Sequence, residues 1–325
     1  MIDLLKRLMF TSGVSGREDK IRELIAKEVE PYADEVSVDN MGNLIARKKG
    51  NGKKIMFCAH MDEIGFFVTN ITSSGNLNVS PVGGINLLAT TFGEVVSENG
   101  VYGALIPTNK SGLPKSDEVC IDIGAKNKKQ AEKKVSVGDY FVAVPQLRKL
   151  LGTRYIGRPF DDRVGCAVLI EALKQANNCE NDLYFVFSVQ EEVGSRGAKP
   201  AAYSISPDIA IALDVTATGD KPAAPKMEVK LGAGCAIKIK DPSTICHIDL
   251  VKQMRAFATE NKIKYQDEIL PFGGTDASAM QSVGTGAKTG VISIPSAFIH
   301  SSVEMIDLND VKEAVKLTVA LCKGL

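Results

Sequence analysis

The chain has 325 residues, 44% of them hydrophobic, and 39 basic residues balance 39 acidic ones. That length suits one large globular domain or two smaller ones, and a net charge of zero gives no reason to expect nucleic acid or an anionic membrane as partner. The opening MIDLLKRLMF is too short in apolar residues for a secretory signal, and no run of about 18 apolar residues occurs, so a cytoplasmic protein is expected. Seven cysteines without a CxxC pair fit reduced thiols in that compartment.

Ser15 followed by Glu18 predicts a capping box, and Ile21, Leu24, Ile25 and Val29 continue at helical spacing to about residue 32. EVSVD and NLIARKK flank Asn40-Met41-Gly42, a hairpin signal, and KKIMFCA at 53–59 reads as a buried strand ending at His60. From about Phe66 to Tyr155 the texture changes to short β-like runs, FFVTNI, LNVSPV, TFGEVVS, GVYGALIP, EVCIDIGA and DYFVAVP, separated by Gly, Asn, Ser and Pro. From Asp161 onward helix and strand patterns alternate: RVGCAVLIEALKQA, LYFVFSV, IAIALDV, IDLVKQMRAFATENK, VISIP and a closing helix from about Leu308 to Lys323. The expected fold is α/β: a mixed sheet sandwiched by helices, built from residues 1–66 and 156–325, with a small β-barrel-like domain inserted at 67–155.

Two of the three histidines stand beside acids, His60 in AHMDEIG and His300 in FIHSSVE. Asp62 lies two residues past His60, on the same side of an extended chain, where it can accept the second ring N–H and fix the tautomer. Glu191 and Glu192 follow the strand LYFVFSV; neighbouring side chains there diverge, so one carboxylate can bind metal while the other handles a proton. Burying both without cations would be costly, because close like charges raise one pKa sharply. Asp214 ends an uncharged run, which favours a ligand over a structural acid.

Other residues admit two readings. Asp161 and Asp162 precede a helix and could simply cap it, and His300 alone is ambiguous. Gly274, Thr275 and Asp276, after Gly273, could face a substrate or begin a helix. Cys58 and Cys166 read as buried, inert thiols, and His247 as a surface or capping residue. Together the His and carboxylate motifs read as a two-metal hydrolase, gathered along one sheet edge.

HMDEIG, FDDRVG, EEVGSRGA, LDVT, GGTDA and IHSSVE, in this order and spacing, resemble the M42 family of metallo-aminopeptidases, which includes glutamyl aminopeptidases and tetrahedral TET peptidases. The resemblance implies that Asp161 bridges two divalent metals, that His60 and Asp214 complete one site, and that Glu192 and His300 complete the other. It further implies Glu191 as general base, Asp62 supporting His60, peptide substrates, and a homo-oligomer, by resemblance a dodecamer. Two cations about 3.5–4 Å apart can share a hydroxide and polarise a peptide carbonyl, with Glu191 moving the proton. Nitrogen and oxygen donors suit zinc or cobalt, with manganese as a third choice.

One departure is that Pro295-Ser296-Ala297-Phe298 stands where the family commonly has an Arg-Tyr pair, so the resemblance does not by itself carry over an acidic specificity, and preference for Leu-like, Lys-like or Glu/Asp-like N-termini stays open. Three alternatives differ in kind: another two-metal amidohydrolase such as a deacylase or carboxypeptidase, an endoglucanase, and a non-catalytic metal-bound assembly protein. An endoglucanase needs two carboxylates flanking a sugar, and Glu191 beside a full ligand set argues against a non-catalytic role.

Overall fold

The computed structural model describes all residues except 110, 111, 113, 178 and 223. In chain order its elements are helix α1 (Ile2–Met9), α2 (Asp19–Val29), strands β1 (Glu35–Val38), β2 (Leu44–Lys48), β3 (Lys54–His60), β4 (Gly65–Ile71) and β5 (Leu77–Val82). Next come α3 (Leu87–Thr90), β6 (Glu94–Ser97), β7 (Tyr102–Pro107), β8 (Val119–Asp122), α4 (Lys128–Ala131), β9 (Tyr140–Ala143), β10 (Gln146–Lys149) and β11 (Arg154–Arg158). The rest are α5 (Arg163–Gln175), β12 (Asp182–Ser188), α6 (Ala198–Ile205), β13 (Ile209–Thr216), β14 (Cys235–Lys240), α7 (Ile248–Glu260), β15 (Tyr265–Ile269), α8 (Ala277–Gln281), β16 (Lys288–Ala297), β17 (Glu304–Asp307) and α9 (Leu308–Gly324).

The main sheet runs β1-β2-β12-β3-β13-β16-β17-β11-β10, with β14 beside β16 and β15 beside β14. Its centre, β12-β3-β13-β16, is parallel. Strands covered on both faces read as near-continuous apolar runs, and β13 is buried at every position. Helices α5 and α9 pack on each other and on strands of this centre, joined by α1, α2 and α7; α6 and α8 form a second group on β12, β13 and β16. The α/β expectation, a mixed sheet between helices with an inserted barrel, therefore holds.

The insertion is a closed barrel, β4-β5-β8-β7-β6-β9, around Phe66, Val68, Leu77, Leu105, Ile121 and Phe141. Closure removes exposed strand edges. Gly65 begins β4, and a Cβ there would sit 2.7 Å from the Phe141 carbonyl oxygen, so only glycine lets the barrel close against β9. The chain then re-enters the main sheet through β10 and β11.

Several local expectations are corrected. Ser15 and Glu18 make no capping box: α2 starts at Asp19, Ser15 Oγ donates to Asp62, and Glu18 accepts from the N–H groups of Gly16 and Gln190. The helix ends at Val29, not near residue 32. Helix α1, which buries Leu4, Leu5, Leu8 and Met9 on one face, occupies the opening read only as too short for a signal. No helix among the described residues is long and apolar enough to cross a membrane.

Phe57 on β3 and Phe185 on β12 stack with ring centroids 5.6 Å apart and no exposed surface. Phe185→Ala is expected to destabilise the fold by about 3–5 kcal/mol, read as a lower urea midpoint. A loss below about 1 kcal/mol would contradict this packing.

Candidate metal centre

The C-terminal ends of parallel strands meet at one sheet edge, and the candidate residues lie there. His60 is the last residue of β3 and pairs in register with Ser188, the last of β12, which puts the Glu191-Glu192 turn beside His60-Met61-Asp62. Asp214 lies near the end of β13, opposite Ser293 of β16. Asp161 follows β11, and His300 follows β16.

His60 Nε2 is 3.0 Å from Asp161 Oδ1 and 3.8 Å from Asp214 Oδ1. His300 Nε2 is 3.2 Å from Asp161 Oδ2 and 3.1 Å from Glu192 Oε2. Asp161 thus offers one carboxylate oxygen to each imidazole. Two groups result, His60-Asp161-Asp214 and Asp161-Glu192-His300, and the candidate donor atoms of each group lie within 4.8 Å of one another. The neighbouring Asp162 takes the capping role instead, accepting from Gly165 N–H at 3.0 Å at the start of α5.

Both imidazoles are tethered through their other nitrogen. His60 Nδ1 lies 3.2 Å from the Asp62 carbonyl oxygen and 3.4 Å from its Oδ1. His300 Nδ1 lies 2.8 Å from the Gly84 carbonyl oxygen, just past β5, so the barrel segment orients one imidazole of the centre. His300 itself has φ 61°, a conformation a non-glycine residue keeps only when its surroundings impose it. Asp62 also accepts from Ser15 Oγ at 2.7 Å, Glu191 N–H at 3.0 Å and Glu192 N–H at 3.3 Å, so one buried carboxylate fixes both the histidine and the twin-glutamate turn.

Behind Asp161 lies a set of charged residues not anticipated from the sequence. Glu304 Oε2 accepts from the N–H groups of Phe160 (2.5 Å) and Asp161 (3.2 Å), and burial pushes its carboxyl up to about 7. Arg158 donates to the Ser301 carbonyl, tying the strand before Asp161 to the turn after His300. Arg163, fully buried, donates to the carbonyls of Leu8 and Thr11 and faces Glu63 at 3.3 Å. Glu304 belongs to IHSSVE, so its buried position at a motif's end was the available signal.

Electrostatics decides what this arrangement can hold. Burial pushes the carboxyls of Glu191, Asp214 and Asp162 well above the usual range, and neighbouring acids add to it. Burial alone would lower the His300 imidazole, but its contacts with Asp161 and Glu192 outweigh that and raise it to about 12. His60 is likewise raised, burial being outweighed by Asp161 and Asp62. Carboxylates outnumber the two imidazoles, and Glu192 Oε1 is buried with no hydrogen-bond partner. Cations relieve such crowding, and imidazole and carboxylate donors without a thiolate fit divalent metals.

The sulfurs stay out of it. Burial raises the Cys58 thiol far above its ordinary value, and Cys166, also raised by burial, donates to the His60 carbonyl. His247 stands at the start of α7 but makes no side-chain cap.

A cavity of about 730 Å³ opens over the centre and is lined by His60, Asp161, Glu191, Glu192, Asp214 and His300, among others. Gly274 and Thr275 also line it, whereas Asp276 turns behind it and accepts from Ser188 Oγ and Cys58 Sγ. Asp276 precedes the short α8 without capping it by its side chain.

The profile of the M42 glutamyl aminopeptidase family matches residues 42–317, and the chain belongs to that family. M42 peptidases are metal-dependent, in keeping with the donor groups here. The lysyl aminopeptidase of Pyrococcus furiosus is 36% identical over 342 residues, covering 99% of this chain and 97% of that one. The structure of aminopeptidase APDkam598 from Desulfurococcus kamchatkensis matches with a TM-score of 0.96 and 37% identity, covering 100% of this chain and 94% of that one. The TET1 peptidase of Pyrococcus horikoshii, which can assemble into a tetrahedron or a large octahedral shell, matches with a TM-score of 0.91 and 37% identity over 100% and 99% of the two chains.

Without metal, the raised His300 value stabilises the fold fully below the ordinary 6.5, and that contribution is lost as pH rises toward about 12. A metal held by His300 would need the neutral imidazole and so would displace this proton. Zinc affinity of the metal-free protein is therefore expected to rise about tenfold per pH unit, per displaced proton, between about pH 6 and 8. Competition with a chromophoric chelator measures it, and a pH-independent affinity would contradict the assignment.

Proposed function

We propose that this chain is a di-metal aminopeptidase that removes N-terminal residues from peptides. The observation that carries the reading is the division of the Asp161 carboxylate between the His60 and His300 imidazoles, each with its own second acid. His60, Asp161 and Asp214 would hold one ion, and Asp161, Glu192 and His300 the other. The donor set suits zinc or cobalt, with manganese next. Two such ions, when bound, would supply Lewis acidity to the scissile carbonyl and to water.

The chain's own residues do the rest. Glu191 lines the cavity without belonging to either donor group, and its backbone N–H is fixed by Asp62. Its carboxylate accepts a proton from water as the oxygen attacks the carbonyl carbon. The same proton then passes to the departing nitrogen as the C–N bond breaks, which is the general base and general acid sequence. Asp62 acts through His60 and the glutamate turn, positioning both. Gly274 and Thr275 border the substrate space, with Asp276 supporting from behind.

The inserted domain, expected at 67–155 and built around the β4–β9 barrel, is assigned to oligomerisation and substrate access, alongside its hold on His300. A cytoplasmic homo-oligomer, a dodecamer like that of the PhTET1 structure, is the proposed form. Anchoring of a free α-amine at the metal centre would make the enzyme an exopeptidase.

Glu191→Gln is expected to keep its metal and lose about 10²–10⁴ in kcat, whereas His60→Ala and Asp161→Ala lose metal. Elemental analysis with aminoacyl p-nitroanilide assays reads both, and blocking the substrate's α-amine should abolish turnover. Normal turnover in the Glu191 variant would sink the mechanism; equal turnover of blocked substrates would sink the aminopeptidase assignment.

A further inference from the structure

Beyond the donor groups and Glu191, the cavity lining is largely apolar. Pro222, Pro225, Leu270, Phe272, Phe298 and Ile299 all border it. Phe272 and Phe298 remain 51% and 44% exposed, so two phenyl rings at one cavity keep apolar surface uncovered among the described residues. Exposed apolar surface grouped in a cavity marks a place for an apolar ligand group.

Phe298 carries a second sign. Its φ is 64°, in the left-handed region, two residues before His300 at 61°. A bulky side chain in that region is strained and persists only where its surroundings impose it. The strained turn sets a phenyl ring on the cavity wall beside a metal-ligand candidate, within the space open to the side chain of a substrate anchored at the centre.

The charges argue the same way. Among the described lining residues outside the donor groups and Glu191, Lys221 is the one ionic side chain, and its Nζ lies 2.8 Å from Asp220 Oδ2. Its charge is already paired. A basic substrate side chain would find no carboxylate to pair with among the described lining residues outside the centre, and an acidic one would find Lys221 already paired. Burying either charge without a partner costs far more than burying a hydrocarbon gains.

We propose that Leu270, Phe272, Phe298 and Ile299 form the subsite for the side chain of the N-terminal residue, and that this subsite selects large apolar residues such as Leu, Met and Phe. The inference rests on the aminopeptidase reading and deepens it to a substrate class. Phe298 is a specificity-determining residue in this account.

The test compares kcat/KM of the metal-loaded protein on the p-nitroanilides of Leu, Met, Phe, Glu and Lys. The apolar substrates should exceed the charged ones by about tenfold or more, the scale of discrimination a shaped apolar pocket provides. Phe298→Ala should lower the Leu-to-Glu ratio about tenfold at unchanged metal content, and Phe272→Ala serves as the same test should that variant fail to fold. A preference for Glu or Lys, or a Phe298 variant that slows all substrates equally, overturns the apolar subsite while leaving the aminopeptidase reading intact. No turnover of any free-amine anilide removes that reading, and the subsite with it.

Discussion

The structure turns on one carboxylate. Asp161 places an oxygen on each of two imidazoles that come from distant parts of the chain, and every neighbouring feature serves to keep it there. Glu304 takes its backbone N–H and that of Phe160, Asp162 starts α5 directly behind it, and Arg158 ties its strand to the His300 turn. Buried acids packed this closely raise one another's pKa values and cost stability unless cations are present. The fold tolerates the centre because helices, the mixed sheet and the barrel all hold its parts from outside.

Position explains how remote segments converge. Strands β3, β12, β13 and β16 run parallel, so their C-terminal ends share one edge, and the candidate donors His60, Glu192, Asp214 and His300 lie at or near those ends. The barrel, whose first strand begins at Gly65 soon after His60, reaches back with the Gly84 carbonyl to orient His300. A Cβ at Gly84 would stand 3.2 Å from His300 Nδ1, so the close approach itself favours glycine. The barrel segment and the His300 imidazole are in this way joined through one short loop.

Much of this was readable in the chain. KKIMFCA and IAIALDV announce strands, and the structure buries both almost throughout because the sheet is covered on both faces; it is the acids near His60 and Asp214 that point past a structural role. The short runs between 66 and 155 announced a separate β unit, and the structure closes six of them into a barrel. Local signals failed where tertiary contacts decide. Ser15 and Glu18 have the spacing of a capping box, yet both are drawn to the centre, one to Asp62 and the other to the Gln190 N–H. Strands β14 and β15 contain charges, Lys238 and Glu268, that pair with each other only once the sheet forms. The hold of Glu304 on Asp161 spans 143 residues and leaves no periodic trace in the sequence.

The central claim is that two ions share Asp161. Diffraction from crystals of the zinc-loaded protein, recorded at the zinc absorption edge, tests it most directly. The account predicts two anomalous peaks flanking the Asp161 carboxylate, one between His60 and Asp214 and the other between Glu192 and His300. A single fully occupied peak, or peaks that do not touch Asp161, would contradict it.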